Sequence, residues 1–167
     1  MCEKGIRGNG MGKNQIDRGY EPVTVKIYVR RTGQEFSERV MAALRGPQIL
    51  AVGRESEGLI SYPDEAVSVV SPMKNGVVAD YDLAAKIFRY YLSKTCGTRR
   101  LFFKPSVAVC VPLELTKVER RAYEDVFYQA GARRVLLVKK TMEQALAEIP
   151  AKYGVIVGIY PQSQDGR

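Results

Sequence analysis

One acid stands out by position. Glu119 opens the helix of "VAVCVPLELTKVERRAYEDVFYQAGARRVLLV" (107–138), just after an apolar strand, where an enzyme could hold a general base. Its spacing points to a different role. Thr116 lies three residues upstream, and Thr-x-x-Glu ahead of an apolar run is a capping box, in which each side chain satisfies the other's backbone N–H. Thr141 and Gln144 repeat the pattern. Other reagents are few. The chain has no histidine, which removes Ser-His and Cys-His catalysis and every His-containing zinc site. Acid–base chemistry would fall to carboxylates, lysines or tyrosines. Cys2, Cys96 and Cys110 are too few and too scattered for a disulfide framework or a metal site, and fit a reducing cytoplasm. Cys110, inside an apolar strand, reads as core. "GNGMGK" (8–13) has the look of a phosphate loop but fails as one. Arg7 stands where the first glycine of G-x-x-x-x-G-K-[ST] belongs, Asn14 replaces the hydroxyl, and no strand precedes it.

The elements that would position such residues follow from patterning. Residues 1–20 are glycine-rich, polar and basic, and read as a flexible tail. "VTVKIYV" (23–29) alternates, with Val23, Val25, Ile27 and Val29 on one face and Thr24, Lys26 and Tyr28 on the other, as in a half-buried strand. The Glu and Ala content of "EFSERVMAAL" (35–44) favours helix locally, and "QILAV" (48–52) reads as a strand. "AVSVV" (66–70) is a short apolar stretch in a loop-rich region. "DYDLAAKIFRYYL" (80–92) is an amphipathic helix capped by Asp80 or Asp82 and ended by Cys96-Gly97. "SVAVCV" (106–111), "RVLLV" (134–138) and "GVIVGIY" (154–160) have the continuous apolar character of strands covered on both faces. The helix that starts at Thr116 would bury Val118, Ala122, Val126 and Ala130, set Arg120–Glu124 and Arg121–Asp125 pairs toward solvent, and stop at Gly131. The helix after Thr141 carries Met142, Ala145, Leu146 and Ile149 and stops at Pro150. Meandering strands followed by βα units give an α/β, ribonuclease-H-like topology: a mixed sheet of three meander strands plus βα units with flanking helices. The organisation expected is a tail at 1–20, a single domain at 21–160 and a flexible C-terminus at 161–167.

At 49–92, "ILAVGRE" and "PMKNGVVADYDLAAKIFRYYL", and at 104–138, "KPSVAVCVPLELTKVERRAYEDVFYQAGARRVLLV", the sequence resembles the MreB family of bacterial actin homologues, the rod-shape-determining proteins. The phrases PMK-x-GV-x-ADYD and VCVP…T-x-VERRA…AGAR-x-V carry the resemblance, which covers about residues 20–160 and fits the family's N-terminal half only. It implies one of the two ribonuclease-H-like halves between which the family holds ATP, and it implies that 35–44 is a strand; tertiary context overrides propensity there. It also implies three losses. The family's first phosphate loop, Asp-Leu-Gly-Thr, falls on Gly19-Tyr20-Glu21-Pro22, where Pro22 has no N–H to offer. The glutamate that positions the attacking water falls on Lys140, which cannot accept a proton while charged. The second phosphate loop, Asp-Ile-Gly-Gly-Gly-Thr-Thr, falls on Gly158-Ile159-Tyr160-Pro161-Gln162-Ser163-Gln164, without its acid or its glycine run.

The expectation is therefore a non-catalytic, MreB-like half-actin, a pseudo-ATPase with no catalytic residue, no metal site and no cofactor, acting on cell shape through a protein partner. That partner would be an MreB filament, or a second copy joined through an unpaired last strand. Lys139, Lys140 and Thr141, at a helix N-terminus, are the candidates for holding an anion. An ATP-binding protein, with Mg-ATP in a rebuilt or partner-completed site, is one alternative. The other is a basic adaptor for nucleic acid or an anionic membrane. The net charge of +8, from 26 Lys and Arg against 18 Asp and Glu, motivates it, and simple solubility explains the same charge. No run of about 18 apolar residues is present, so no transmembrane segment is expected, and the place expected is the cytoplasm or the membrane periphery.

Overall fold

The structure, a computed structural model, describes residues 23–60, 66–97, 104–111 and 114–161. The expectations about the 1–20 tail, Gly19–Pro22, Gln162–Gln164 and residues 162–167 lie outside that range.

The chain opens with β1 (Val23–Val29) and β2 (Gln34–Arg39), then β3 (Ala42–Arg45) and β4 (Gln48–Val52). A four-residue helix, α1 (Arg54–Glu57), leads to β5 (Val67–Val70), β6 (Met73–Lys74) and β7 (Val77–Val78). The second half alternates: α2 (Tyr81–Cys96), β8 (Ser106–Cys110), α3 (Lys117–Gln129), β9 (Arg134–Val138), α4 (Met142–Glu148) and β10 (Val155–Pro161). Residues 34–39 and 42–45 are thus strands, as the resemblance implies and against their local propensity, because pairing with β1, β4 and β5, and the burial of Ala42 and Ala43, outweigh a few tenths of a kcal/mol per residue.

The main sheet has the order β2-β1-β10-β8-β9. β1 runs antiparallel to both β2 and β10, whereas β10, β8 and β9 are mutually parallel. The meander does not continue past β2. Val40 and Met41 turn the chain away, and β3 pairs with β4 and β5 in a separate three-stranded sheet that packs Met41, Ala43, Val67 and Val69 together.

The two faces of the main sheet are covered unequally. On one, Val23, Val25 and Ile27 of β1 and Val107 and Val109 of β8 meet α2 and α3. The i, i+4 rows of α2, Leu83, Ile87 and Tyr91 with Ala84, Phe88 and Leu92, are all buried as the periodicity predicts. Asp80 is the N-cap, accepting a bond from the Leu83 N–H at 3.1 Å. The α3 face differs from expectation. Val118 is 79% exposed and Ala122 only half-buried, and the buried residues are Tyr123, Val126 and Phe127, with Ala130 at the C-cap. A 3.6-residue turn rotates a strict i, i+4 row off the core by the first turn of the helix, and the large rings of Tyr123 and Phe127 take the contact. Phe127 packs on Phe88 with centroids 4.6 Å apart. Arg120 does not pair with Glu124 as expected; it donates to the Leu137 carbonyl at 3.2 Å. The Arg121–Asp125 pair forms at 3.8 Å.

Among the described residues the other face carries only α4, whose Met142, Ala145 and Ile149 cover Ala108, Cys110 and Ile156. Beside α4 no described residue covers the sheet. A groove of ≈ 560 Å³ runs between it and β1–β2, lined by Lys26, Tyr28, Glu35, Met142, Leu146 and Tyr160 among others.

Candidate functional site

Three parallel strands point their carboxyl ends the same way, and in open α/β sheets ligands bind at that end. Pro161 closes β10, Val111 follows β8, and Lys139 follows β9. The antiparallel β1 begins there too, with Val23 opposite Pro161. Above this edge stand the N-termini of α3 and α4.

Both helix N-termini are occupied by their own chain. Thr116 Oγ1 accepts from the Glu119 N–H at 3.2 Å, and Glu119 Oε2 accepts from the Thr116 N–H at 2.7 Å. Thr141 and Gln144 do the same at 3.2 and 3.1 Å. These bonds to the charged form, first from the Thr116 backbone and then from its side chain, hold the Glu119 carboxyl below the usual glutamate range. Glu119 is therefore an ionised cap, as its spacing predicts.

The anion candidates Lys139, Lys140 and Thr141 lie between β9 and α4, and the two lysine charges are matched by carboxylates. Lys139 Nζ bonds Glu114, which comes from the β8–α3 connection. That hydrogen bond and the lysine's charge lower the Glu114 carboxyl. Lys140, where the resemblance implies the water-positioning glutamate, puts its Nζ 2.9 Å from Glu148 Oε1. Thr141 is the N-cap of α4, a helix of seven residues.

Gly158 stands where the resemblance implies the acid of the second phosphate loop. It lies in β10 opposite Lys26 of β1 and Cys110 of β8. A Cβ built there would lie 2.6 Å from both Cγ and Sδ of Met142 and 2.8 Å from the Tyr160 ring. The room for a side chain is thus filled by a thioether and a phenol. Lys26 covers the outer face of that ring, its Nζ 5.1 Å from the centroid. Burial, and secondarily Glu143, raise the Tyr160 hydroxyl. Burial pushes the Cys110 thiol up to about 11, so it stays protonated core. Among the described residues no three carboxylate, cysteine or histidine side chains gather as they would around a cation.

Sequence reasoning did not find several residues that tie distant segments of the sheet and its helices together. Tyr123 donates its hydroxyl to the Gly76 carbonyl, tying α3 to the β6–β7 turn, and Tyr91 donates to the Arg39 carbonyl. Burial raises both phenols. Arg30 bonds two carbonyls of the α4–β10 connection. Each partner is at least 47 residues away in sequence, so no local signal marks it.

The mixed sheet, its flanking helices and its carboxyl-end face define a ribonuclease-H-like lobe of the actin type. The sequence model of the MreB/Mbl protein family matches residues 14–156, and the chain belongs to that family. It is 33% identical over 162 residues to the cell shape-determining protein MreB of Haemophilus influenzae, covering 93% of this chain and 46% of that protein. With MreB of Escherichia coli K12 the identity is 29%, covering 82% and 41%. The cell shape-determining protein Mbl of Bacillus subtilis is 27% identical, covering 78% and 39%. Among solved structures, MreB5 of Spiroplasma citri bound to ADP superposes with a TM-score of 0.59 at 23% identity, over 78% of this chain and 38% of that one. The same protein bound to AMPPNP gives 0.60 at 22% identity. That likeness establishes the actin-type fold. The chain spans less than half the length of these relatives.

Proposed function

We propose that this chain is a non-catalytic member of the MreB/Mbl family that acts in the bacterial cytoskeleton or cell-shape machinery by binding a protein partner, an MreB filament, without turning over ATP. The observation that supports this reading is that, among the described residues, the polar groups of the carboxyl-end face are satisfied by their own side chains. Phosphate needs free N–H groups and an unmatched cation, and magnesium needs a carboxylate aimed at it. Here the two caps are closed by Glu119 and Gln144, the two lysines are matched by Glu114 and Glu148, and the position of the implied acid is a glycine packed under Met142 and Tyr160. These residues do not fit a magnesium–nucleotide complex, so no hydrolytic step is assigned to them. The fold surfaces remain for a partner.

Calorimetric titration with Mg-ATP tests the nucleotide half of the reading. The expected result is no heat of binding up to about 1 mM, weaker than about −4 kcal/mol. Tight, magnesium-dependent binding would return the chain to the nucleotide-switched members of the family. Co-sedimentation with filaments of a full-length MreB tests the partner half. The protein is expected to pellet with the filaments or to change the amount pelleted, and neither effect at micromolar concentrations ends the filament reading.

A further inference from the structure

The last strand offers no edge to a partner. β1 pairs along one side of β10 from Val155 to Pro161 and β8 along the other from Val155 to Gly158, so the expected self-dimer through it is not available. The sheet ends instead at β2 and β9. An edge strand turns half of its backbone groups outward, and the partners those groups find decide whether the edge can take another chain.

Bonds at the two ends of β1 fix which groups these are. Val40, just after β2, donates its N–H to Val23 O at 2.8 Å, and Arg30, just after β1, donates its N–H to Gly154 O at 2.9 Å. Backbone groups alternate sides along a strand. In the β1–β2 register, Gln34, Phe36 and Glu38 therefore bond β1, and Glu35, Ser37 and Arg39 face away from it. Arg39 is closed from within: its N–H donates to Glu38 Oε1 at 3.2 Å and its carbonyl accepts the Tyr91 hydroxyl. Glu35 and Ser37 are open. Both are exposed, and among the described residues nothing bonds their outward N–H and C=O groups. On β9 the outer edge carries a guard. The Val138 carbonyl bonds the Val111 N–H on the β8 side, and Arg120 takes the outward carbonyl of Leu137.

The open window on β2 lies between two hollows, one on each face of the sheet. On the α4 side is the groove of ≈ 560 Å³, with Tyr28, Glu35, Ser37 and Leu146 in its wall. On the α2 side a hollow of ≈ 200 Å³ lies between the β1–β2 turn and the end of α2, lined by Arg31, Gln34, Lys94 and Thr95 among others. A strand laid along β2 would alternate its side chains between the two. Its residue opposite Phe36 falls on the α2 side. There Lys94 holds its Nζ 5.9 Å from the Phe36 ring centroid. Among the described residues neither Lys94 nor Arg31 pairs with a carboxylate. The outer face of α2 adds Lys86 and Arg89, both exposed.

This charge selects the occupant. A second copy using the same groups would set Phe36 against Phe36 across a two-fold axis and bring the two Lys94 ammonium groups together, and like charges across a strand pair are destabilising. An acidic segment meets those cations with the opposite charge.

We propose that the outer edge of β2 is a docking edge for an extended acidic segment of a protein partner, added to the main sheet as a further strand. Its backbone bonds Glu35 and Ser37, a carboxylate opposite Phe36 lies against Lys94 and Arg31, and the alternate side chains lean over Ser37 into the groove. This rests on the reading that the chain works through a protein partner, and it names the surface and the chemistry of that partner.

The probe is the peptide acetyl-Val-Glu-Val-Glu-Val-Glu-Val-amide, titrated into the full chain and followed by amide exchange. In the free protein the N–H groups of Glu35 and Ser37 should exchange at least about tenfold faster than those of Phe36 and Glu38. With saturating peptide, Glu35 and Ser37 should slow at least about tenfold while Phe36 and Glu38 stay as they were. No protection, or uniform protection of the strand, up to about 1 mM peptide overturns the proposal. The counterpart with lysine for glutamate should not bind, and equal binding by it overturns the acidic assignment. Ser37→Pro removes an outward N–H and leaves the pairing with β1 intact, because proline is tolerated where a strand's N–H faces solvent. It should abolish peptide binding. Lys94→Glu, on the exposed surface, should weaken binding at least about tenfold. Unchanged affinity in either variant overturns the docking edge. Protection of Glu35 and Ser37 without peptide, at dimer mass, would make a second copy the occupant and overturn it too. Peptide binding without co-sedimentation would keep this edge and end the filament reading; co-sedimentation without peptide binding would do the reverse.

Discussion

The two faces of the main sheet were built by different rules. Under α2 and α3 the side chains interdigitate around Phe88, Tyr91, Tyr123 and Phe127, and the buried polar atoms find partners: Tyr123 reaches Gly76 and Tyr91 reaches Arg39. Under α4 the cover is a single seven-residue helix, with an open groove beside it and a glycine filled in by Met142 and Tyr160. The first face is a core that stands on its own. The second is a thin cover over the strands that lead to the carboxyl-end face. The capping boxes and exposed ion pairs at the carboxyl-end face make few demands on the core that lies beneath them.

The largest effect that would sharpen this contrast is a pair of truncations. Phe127→Ala removes a fully buried ring stacked on Phe88 and is expected to cost about 3–5 kcal/mol. Leu146→Ala, on the groove wall, is expected to cost about 1 kcal/mol, because part of its surface is already in water. Equal losses in urea denaturation would erase the distinction between the faces. Next is Gly158→Asp, which restores the implied acid. Met142 and Tyr160 must move and a carboxylate is buried among them, so a loss of about 2–4 kcal/mol is expected without any gain of Mg-ATP affinity. A stable variant that bound Mg-ATP would show that the site had needed only its acid.

Tyr123→Phe should cost about 1–3 kcal/mol, because the buried Gly76 carbonyl is left without its donor. Thr116→Ala opens one cap for about 1 kcal/mol, read as a shift in the denaturation midpoint. The smallest effect is in pH. Glu119 has a folded-state value lowered by its cap bonds. Its contribution is fully present above the unfolded value of about 4.3 and is lost as pH falls through the lower folded value. Glu119→Gln keeps an acceptor for the cap but does not titrate. Its denaturation midpoint should therefore fall less steeply than the wild type's below about pH 4.3. Parallel curves for the two proteins would remove Glu119 from the acid response.

Much of the carboxyl-end face could be read from the sequence, because it is made of local bonds. Both capping boxes span three residues, and both form as their spacing predicts. Alternation in Val23–Val29 and the paired rows of α2 assigned their buried faces for the same reason, since a strand repeats every second residue and a helix nearly every fourth. Lys139 and Lys140 were located, but the carboxylates that match them, Glu114 and Glu148, were not, because a partner eight or twenty-five residues away leaves no periodic trace.

By itself, then, the sequence determined which segments are strands and helices in the second half, where the helices start, and the family pattern written in PMK-x-GV-x-ADYD. Tertiary structure alone decided that Tyr123 and Phe127 displace Val118 from the core and that β10 lies at the centre of the sheet. The reason is the same in each case. An apolar strand carries its burial in its composition but not its neighbour. The choice among slots is made by the strands that pair with it, here β1 and β8 on either side of Val155–Gly158, and by distant groups such as Arg30 that hold the connection in place.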